Sequence, residues 1–353
     1  MHLVIDDKIP YIREAAARLG EATYLPGAAI TAADVRSADA LIIRTRTRCD
    51  EALLGGSSVQ FVATATIGHD HIDTAFMQRA GIGWTNCPGC NAGSVAQYVA
   101  CSLLLLRREG LLPPLRDCVV GIVGVGHVGR RVEDLLHRMG CRVLRCDPPR
   151  AEREGCEGFV SLDEVARRAD VVTLHTPLTS QGPHATFHMA DAAFFAALRR
   201  RPVFINSSRG EVVDTPALLQ AIRLGHVGPT VIDTWEDEPC ISRELLRLAH
   251  IATPHIAGYS ADGKARGTRM ALSAVARHFG LAPDFDIAPP PLPADFSALP
   301  GGDARPLSEP LGWYDPRRDT EALRLHPEAF ERLRGNYPLR RECAAELYEN
   351  LPL

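Results

Sequence analysis

The chain has 353 residues, 46% apolar and 23% charged, the make-up of a globular enzyme rather than a fibrous or disordered protein. Lys plus Arg number 39 and Asp plus Glu 43, a net charge of −4, which argues against a nucleic-acid binder, since those carry a positive excess. No stretch approaches the roughly 18 apolar residues of a membrane span, and the two aspartates of MHLVIDDKIP stand where a signal peptide needs a basic and then apolar ramp; a cytoplasmic protein is expected.

A chain of this length predicts two or three domains. HLVID reads as a strand, and PYIREAAARLG as a helix opened by proline and closed by Gly20. ALIIRT, QFVATAT and GIGWTN follow as β-branched or apolar strands. Next, Cys87 and Cys90 frame Pro88 and Gly89, the spacing of a redox dithiol or of half a zinc site. The chain has no second CxxC, so the stretch reads as a turn, and the ten scattered cysteines as reduced, mostly buried thiols. An oxidisable dithiol stays open as an alternative. NAGSVAQYVACSLLLLRREG then predicts a long helix with Asn91 as N-cap.

The alternation restarts near residue 116 with CVVGIVG, an amphipathic helix, and CRVLRC. ADVVTLHT, PVFINSS, PTVIDTW and HIATP are further strands, and SADGKARGTRMALSAVARHFG is a second long helix. Strands alternating with helices predict parallel sheets covered on both faces. Past residue 281 the chain is dense in proline, as in a linker or extended arm. Its last forty residues regain helical, arginine-rich character. The expected fold is α/β, with two Rossmann-like or flavodoxin-like parallel-sheet domains. The boundaries fall at 1–100, completed by the helix 261–280, and at 101–260. The segment 281–353 follows as linker and small terminal domain.

Gly124-Val125-Gly126-His127-Val128-Gly129 lies between a strand and a helix, and the next strand ends in Asp147. That context marks a dinucleotide site. Gly124 permits the tight turn, Gly126 lets the amides around His127 and Val128 approach a pyrophosphate, and Gly129 lets helix and strand pack closely. Asp147 can accept from both ribose hydroxyls and repels a 2′-phosphate, which favours NAD over NADP, with Arg145 and Arg150 nearby as the counterweight.

Three polar residues follow strands in the second half: Arg209 after PVFINSS, Glu238 after PTVIDTW, and His255 after HIATP. In a parallel sheet those carboxyl ends line the ligand crevice. The set suits oxidation of an alcohol beside a carboxylate. Arg209 can grip a carboxylate with two parallel bonds, His255 can take the hydroxyl proton, and Glu238 can fix the tautomer of His255.

The motifs GVGHVG, HTPLT, NSSRGEVVD, DTWEDEP and TPHIAGYS resemble the D-2-hydroxyacid dehydrogenases. DDKIPY, ATATIGHDHID, PGCNA and CDPPRAEREG, with WYDPRRDTEALR and FERLRGNYPLRRE in the tail, resemble the branch that oxidises 4-phospho-D-erythronate in pyridoxal 5′-phosphate formation. The resemblance implies Arg209, Glu238 and His255 as catalytic residues and NAD as cofactor, held also by Thr176, Asp233 and Gly258. It implies Thr45, Thr66 and Tyr259 as substrate contacts, and an α+β C-terminal domain that pairs two copies. Thr45 replaces a customary serine, His69 a threonine, Gln97 a glutamate and His127 an asparagine. A phosphorylated acid needs cations at its far end, and Arg44 in RTRTR is the candidate, with Arg46 and Arg48 as solvated alternatives. Arg340 or Arg341, reaching a partner subunit, is a second possibility. Two rival readings remain open: a D-3-phosphoglycerate or other 2-hydroxyacid dehydrogenase, and an NAD-sensing binding protein without turnover.

Overall fold

The computed structural model describes residues 1–282, 284–294, 296, 306–349 and 351. The chain divides into two compact units, Met1–Asn91 with Ser260–Pro291, and Ala92–Tyr259 with Leu292–Leu353.

The first unit carries β1 (His2–Asp6), β2 (Glu21–Leu25), β3 (Ala40–Ile43), β4 (Phe61–Thr64) and β5 (Gly83–Thr85). They form one parallel sheet in the order β2-β1-β3-β4-β5, the flavodoxin-like arrangement. β3 and β4 are buried along their whole length, as strands covered on both faces must be. Leu3, Ile5, Ile42 and Ala63 pack with Ala271, Leu272 and Val275 of the helix Ala261–His278, while Val4, Leu41, Val62 and Met77 belong to a second core. β2 had no counterpart in the sequence reading. Its residues EATYL stand at the sheet edge, half exposed, without the apolar run that marks an inner strand. PYIREAAARLG is helical only over Arg13–Ala16. The helix is capped by Ala17, not by Gly20 as expected; Gly20 stands before β2 at φ 152°, where a Cβ would lie 2.1 Å from the Met1 carbonyl oxygen.

In the second unit, β6 (Val119–Val123), β7 (Arg142–Cys146), β8 (Val171–Leu174), β9 (Val203–Asn206), β10 (Thr230–Ile232) and β11 (Ile251–Ala252) make a parallel sheet in the order β11-β10-β9-β8-β6-β7. Strand order reverses at β6, so the carboxyl ends of β6 and β8 flank the switch point where such sheets take ligands.

The helix Ala92–Arg108 opens this unit. Val95, Val99, Leu103 and Leu106 pack in one core with Val120, Ile122 and Leu136, each large aliphatic contributing about 1.5–3 kcal/mol on burial. The units therefore divide at 91/92 instead of 100/101. The side-chain oxygen of Asn91 accepts no hydrogen bond from the described residues, so it does not cap the helix as expected.

The C-terminal segment also packs into this unit. Leu311, Tyr314 and Tyr348 share the core of Ala92–Arg108, and Leu323 and Phe330 join the other. From residue 306 onward the described residues form the helices Pro310–Trp313, Pro316–Leu325 and Phe330–Gly335 with short 3-10 turns, and no strand. The segment is thus helical where α+β was expected. Part of the proline-rich stretch, 295 and 297–305, lies outside the described residues. No helix among the described residues is long and apolar enough to cross a membrane.

Candidate active site

Loops leave the carboxyl ends of three neighbouring strands, β9, β10 and β11. Asn206, the last residue of β9, is 1% exposed. Its side-chain amide donates to the Arg209 and Thr234 carbonyls at 3.0 and 3.4 Å, and its oxygen accepts from the Ser208 amide and hydroxyl. One buried amide thus ties the Arg209 turn to the loop after β10. Gly210 is required there, because a Cβ would lie 1.9 Å from the Trp235 carbonyl oxygen. Arg209 is half-buried and donates from Nη1 to the Ser208 carbonyl at 2.8 Å.

Glu238 and His255 are in direct contact. His255 Nδ1 lies 2.8 Å from Oε2 and 3.1 Å from Oε1 of Glu238, and Oε1 also accepts from the Trp235 amide at 3.0 Å. Burial pushes the Glu238 carboxyl up, but the charge and bond of His255, the Trp235 amide and the Arg334 guanidinium together hold it below the ordinary carboxylate value. An ionised carboxylate only accepts, so Nδ1 carries a proton, which leaves Nε2 as the ring nitrogen that can present a lone pair.

His255 sits at φ 56°, a left-handed conformation costing a non-glycine residue about 1–2 kcal/mol. Asp233 holds it there. Its carbonyl accepts from the His255 amide at 2.9 Å. Its side chain accepts from the Thr253 hydroxyl and the Ile256 amide at Oδ1, and from the Ala257 amide at Oδ2, at 2.6, 2.7 and 3.0 Å. Buried at 1% exposure, the Asp233 carboxyl is raised by burial against the lowering effects of His255 and these bonds. Asp233, expected to touch the cofactor, thus also shapes the loop that carries His255.

The glycine-rich turn sits at the end of β6. Gly124 has φ 88°, and a Cβ there would stand 2.7 Å from the His175 carbonyl carbon; one on Gly129 would stand 2.1 Å from the Gly124 oxygen. A Cβ on Gly126 meets nothing within 4 Å. Gly126 is N-cap of the helix His127–Arg138 with no side-chain cap, so first-turn amides remain for an anion. Asp147 Oδ2 accepts from the Val125 amide and Oδ1 from the Arg150 amide, which fixes its carboxylate beside the turn. Arg150 is bound by Glu154 and by the Val125 carbonyl, and Arg145 by the Gly158 carbonyl. Both cations that could have welcomed a 2′-phosphate are therefore engaged elsewhere.

At the ends of β8 and β9, His175 Nδ1, Thr176 Oγ1 and Ser207 Oγ are buried without a partner among the described residues. Burial pushes the pKa of His175 down to about 3, so the ring is neutral. Unsatisfied buried polar atoms beside an open glycine turn fit a dinucleotide, whose groups can supply the missing bonds.

Gly258 and Tyr259 follow the loop that carries His255, both half-buried. The Tyr259 hydroxyl accepts from Arg334 Nε at 3.2 Å. In the first unit β3 has ended before Arg44, and residues 45–47 turn. Arg44 donates to the Lys8 carbonyl at 3.2 Å, Thr45 is exposed, and exposed Arg48 pairs with Asp50 at 2.8 Å. Thr66 donates to the Gly68 carbonyl and lies 2.7 Å from the Thr64 hydroxyl.

Arg340 is no free phosphate ligand. It is 3% exposed, donates to the Ser94, Ile256 and Ala257 carbonyls, and stacks on Tyr314. Cys87 and Cys90 are buried. The Cys87 thiol donates to the Gly267 carbonyl at 3.2 Å, and burial pushes its pKa up to about 12, which makes it a poor nucleophile. No group of His, Cys, Asp and Glu among the described residues is arranged to hold a metal. Sequence reasoning missed Asn206, Ser207 and Arg334. The first two were visible as polar residues closing a strand, whereas Arg334 had no local signal.

The family model described as D-isomer specific 2-hydroxyacid dehydrogenase, NAD binding domain, matches residues 106–257. The chain is 51% identical to the erythronate-4-phosphate dehydrogenase of Bacteroides fragilis, covering 98% of each, and 44% identical to that of Escherichia coli, covering 98% of this chain and 93% of the other. Among solved structures, D-lactate dehydrogenase from Aquifex aeolicus, complexed with NAD and lactic acid, aligns with a TM-score of 0.66 at 26% identity, over 79% of this chain and 96% of that one. NAD is the cofactor these matches support. With the Glu238–His255 pair, the glycine turn and the full-length likeness side by side, the chain belongs to the erythronate-4-phosphate dehydrogenases, within the D-isomer specific 2-hydroxyacid dehydrogenase family.

Proposed function

We propose that this chain oxidises 4-phospho-D-erythronate to (R)-3-hydroxy-2-oxo-4-phosphooxybutanoate with NAD, in the formation of pyridoxal 5′-phosphate. The observation that carries the chemistry is the Glu238–His255 pair, with Nδ1 on the carboxylate and Nε2 left as proton acceptor. The substrate follows from the names of relatives 51% and 44% identical over almost the whole chain.

In this reading, Arg209 binds the substrate carboxylate and fixes the C2 hydroxyl toward His255. His255 takes the hydroxyl proton at Nε2, while Glu238 stabilises the imidazolium that forms. Bound NAD supplies the acceptor for the hydrogen and electron pair leaving C2. Gly124, Gly126, His127, Val128, Gly129, Asp147, Thr176, Asp233 and Gly258 hold the cofactor. Thr45, Thr66, Tyr259 and Arg44 contact the phosphorylated acid. Two copies pair through 281–353, on the likeness of that tail to a dimerisation segment, and the enzyme works in the cytoplasm.

His255→Ala tests the mechanism. Turnover should fall by about 10²–10⁴-fold with NADH affinity kept, and Arg209→Ala should raise KM and lower kcat together. Parental turnover in the His255 variant would remove the proton-acceptor role.

A further inference from the structure

The C-terminal segment reaches the catalytic loop twice. Arg340 binds its backbone carbonyls at Ile256 and Ala257. Arg334 reaches side chains: Nη1 lies 3.7 Å from Glu238 Oε2, and Nε donates to the Tyr259 hydroxyl at 3.2 Å. It projects from the helix Phe330–Gly335, which is anchored in the core by Phe330 at 1% exposure. The Arg334 and Glu238 side chains are only 21% and 18% exposed, so the pair is less screened than a surface ion pair. Glu331, one turn back, is 4.0 Å away and far more exposed at 38%.

We propose that Arg334 is a positioning residue of the catalytic site, holding the Glu238 carboxylate against His255 and the Tyr259 hydroxyl in place beside it. The proposal rests on the dehydrogenase reading of Glu238 and His255. Oε1 of Glu238 is tied to the Trp235 amide, and Oε2, the oxygen nearer His255 Nδ1, faces the Arg334 guanidinium, which fixes it toward the imidazole. Because the fork also holds Tyr259, Arg334 links the proton-acceptor pair to a residue proposed to touch substrate. Lysine keeps the charge but lacks the planar fork that serves both partners.

The test uses the full chain and four variants: Arg334→Gln, Arg334→Lys, Glu238→Gln, and the Arg334→Gln/Glu238→Gln pair. Steady-state NAD reduction is followed with 4-phospho-D-erythronate, 3-phosphoglycerate and D-lactate, and NADH affinity by fluorescence titration. Arg334→Gln should lower kcat on the order of tenfold to a hundredfold, the scale of a small misplacement of reacting groups, with NADH affinity unchanged and Arg334→Lys in between. In the Glu238→Gln background the same change should cost no more than about twofold, because the carboxylate it positions is gone. Parental kcat in Arg334→Gln, an equal loss in both backgrounds, or a loss that tracks NADH affinity would overturn the proposal. The ratios are read on whichever acid is oxidised, so inactivity toward 4-phospho-D-erythronate alone overturns the substrate assignment and leaves Arg334 tested. If no acid is oxidised, there is no catalytic pair to position and both readings fall.

Discussion

Asp233 shows how one buried carboxylate can shape the loop that carries His255. It collects the Thr253 hydroxyl and the Ile256 and Ala257 amides, so the loop carrying His255 closes on a single side chain. Asparagine at this position keeps one acceptor oxygen and turns an amide group toward one of those donors. Leaving a buried donor unpaired costs about 1–3 kcal/mol. Asp233→Asn should therefore lower Tm and lower kcat together, by differential scanning fluorimetry and NAD-reduction rates; parental values of both would show that the loop holds without it. Arg209, Glu238 and His255 were marked in sequence because each follows an apolar run that reads as a strand; β9 and β10 are inner strands, and β11, before His255, stands at the sheet edge. The bond between Glu238 and His255 was legible as chemistry, but Asp233 as the loop's organiser was not, since three backbone and hydroxyl donors leave no trace in spacing.

At the scale of elements, the strand–turn–helix of residues 119–138 separates fold from ligand binding by position. A methyl group on Gly129 runs into the Gly124 carbonyl at 2.1 Å, whereas one on Gly126 meets no protein atom within 4 Å. Gly129→Ala should lower both Tm and NADH affinity. Gly126→Ala should keep the parental Tm and lose NADH affinity by roughly tenfold or more, since a methyl group blocks backbone approach to a pyrophosphate. Equal NADH affinity in Gly126→Ala and the parent would place the dinucleotide elsewhere. Ten of the eleven strands among the described residues were legible as short β-branched or apolar runs; β2 was not, because an edge strand needs no continuous apolar stretch. Helix extent was harder to read: PYIREAAARLG has helical composition throughout, yet only four of its residues are helical.

For the whole molecule, helical periodicity marks a buried face but does not say which core receives it. That is why Ala92–Arg108 was divided between domains in sequence, although its apolar face belongs wholly to the second unit. The same limit hid the role of the tail. Leu311, Tyr314, Leu323, Phe330 and Tyr348 are core residues of the NAD-binding unit, and Arg334 arrives at Glu238 from a point remote in the chain. The proposed proton-acceptor pair, Glu238 and His255, acts only at the C2 hydroxyl, so in this reading the choice between a three- and a four-carbon acid rests with the rest of the molecule. Initial rates of NAD reduction on 4-phospho-D-erythronate and 3-phosphoglycerate, measured side by side at equal concentration, test the assignment most directly. The four-carbon acid should be oxidised much the faster, with the 2-oxo acid as product; a preference for 3-phosphoglycerate, or no reduction of NAD with either, would contradict it.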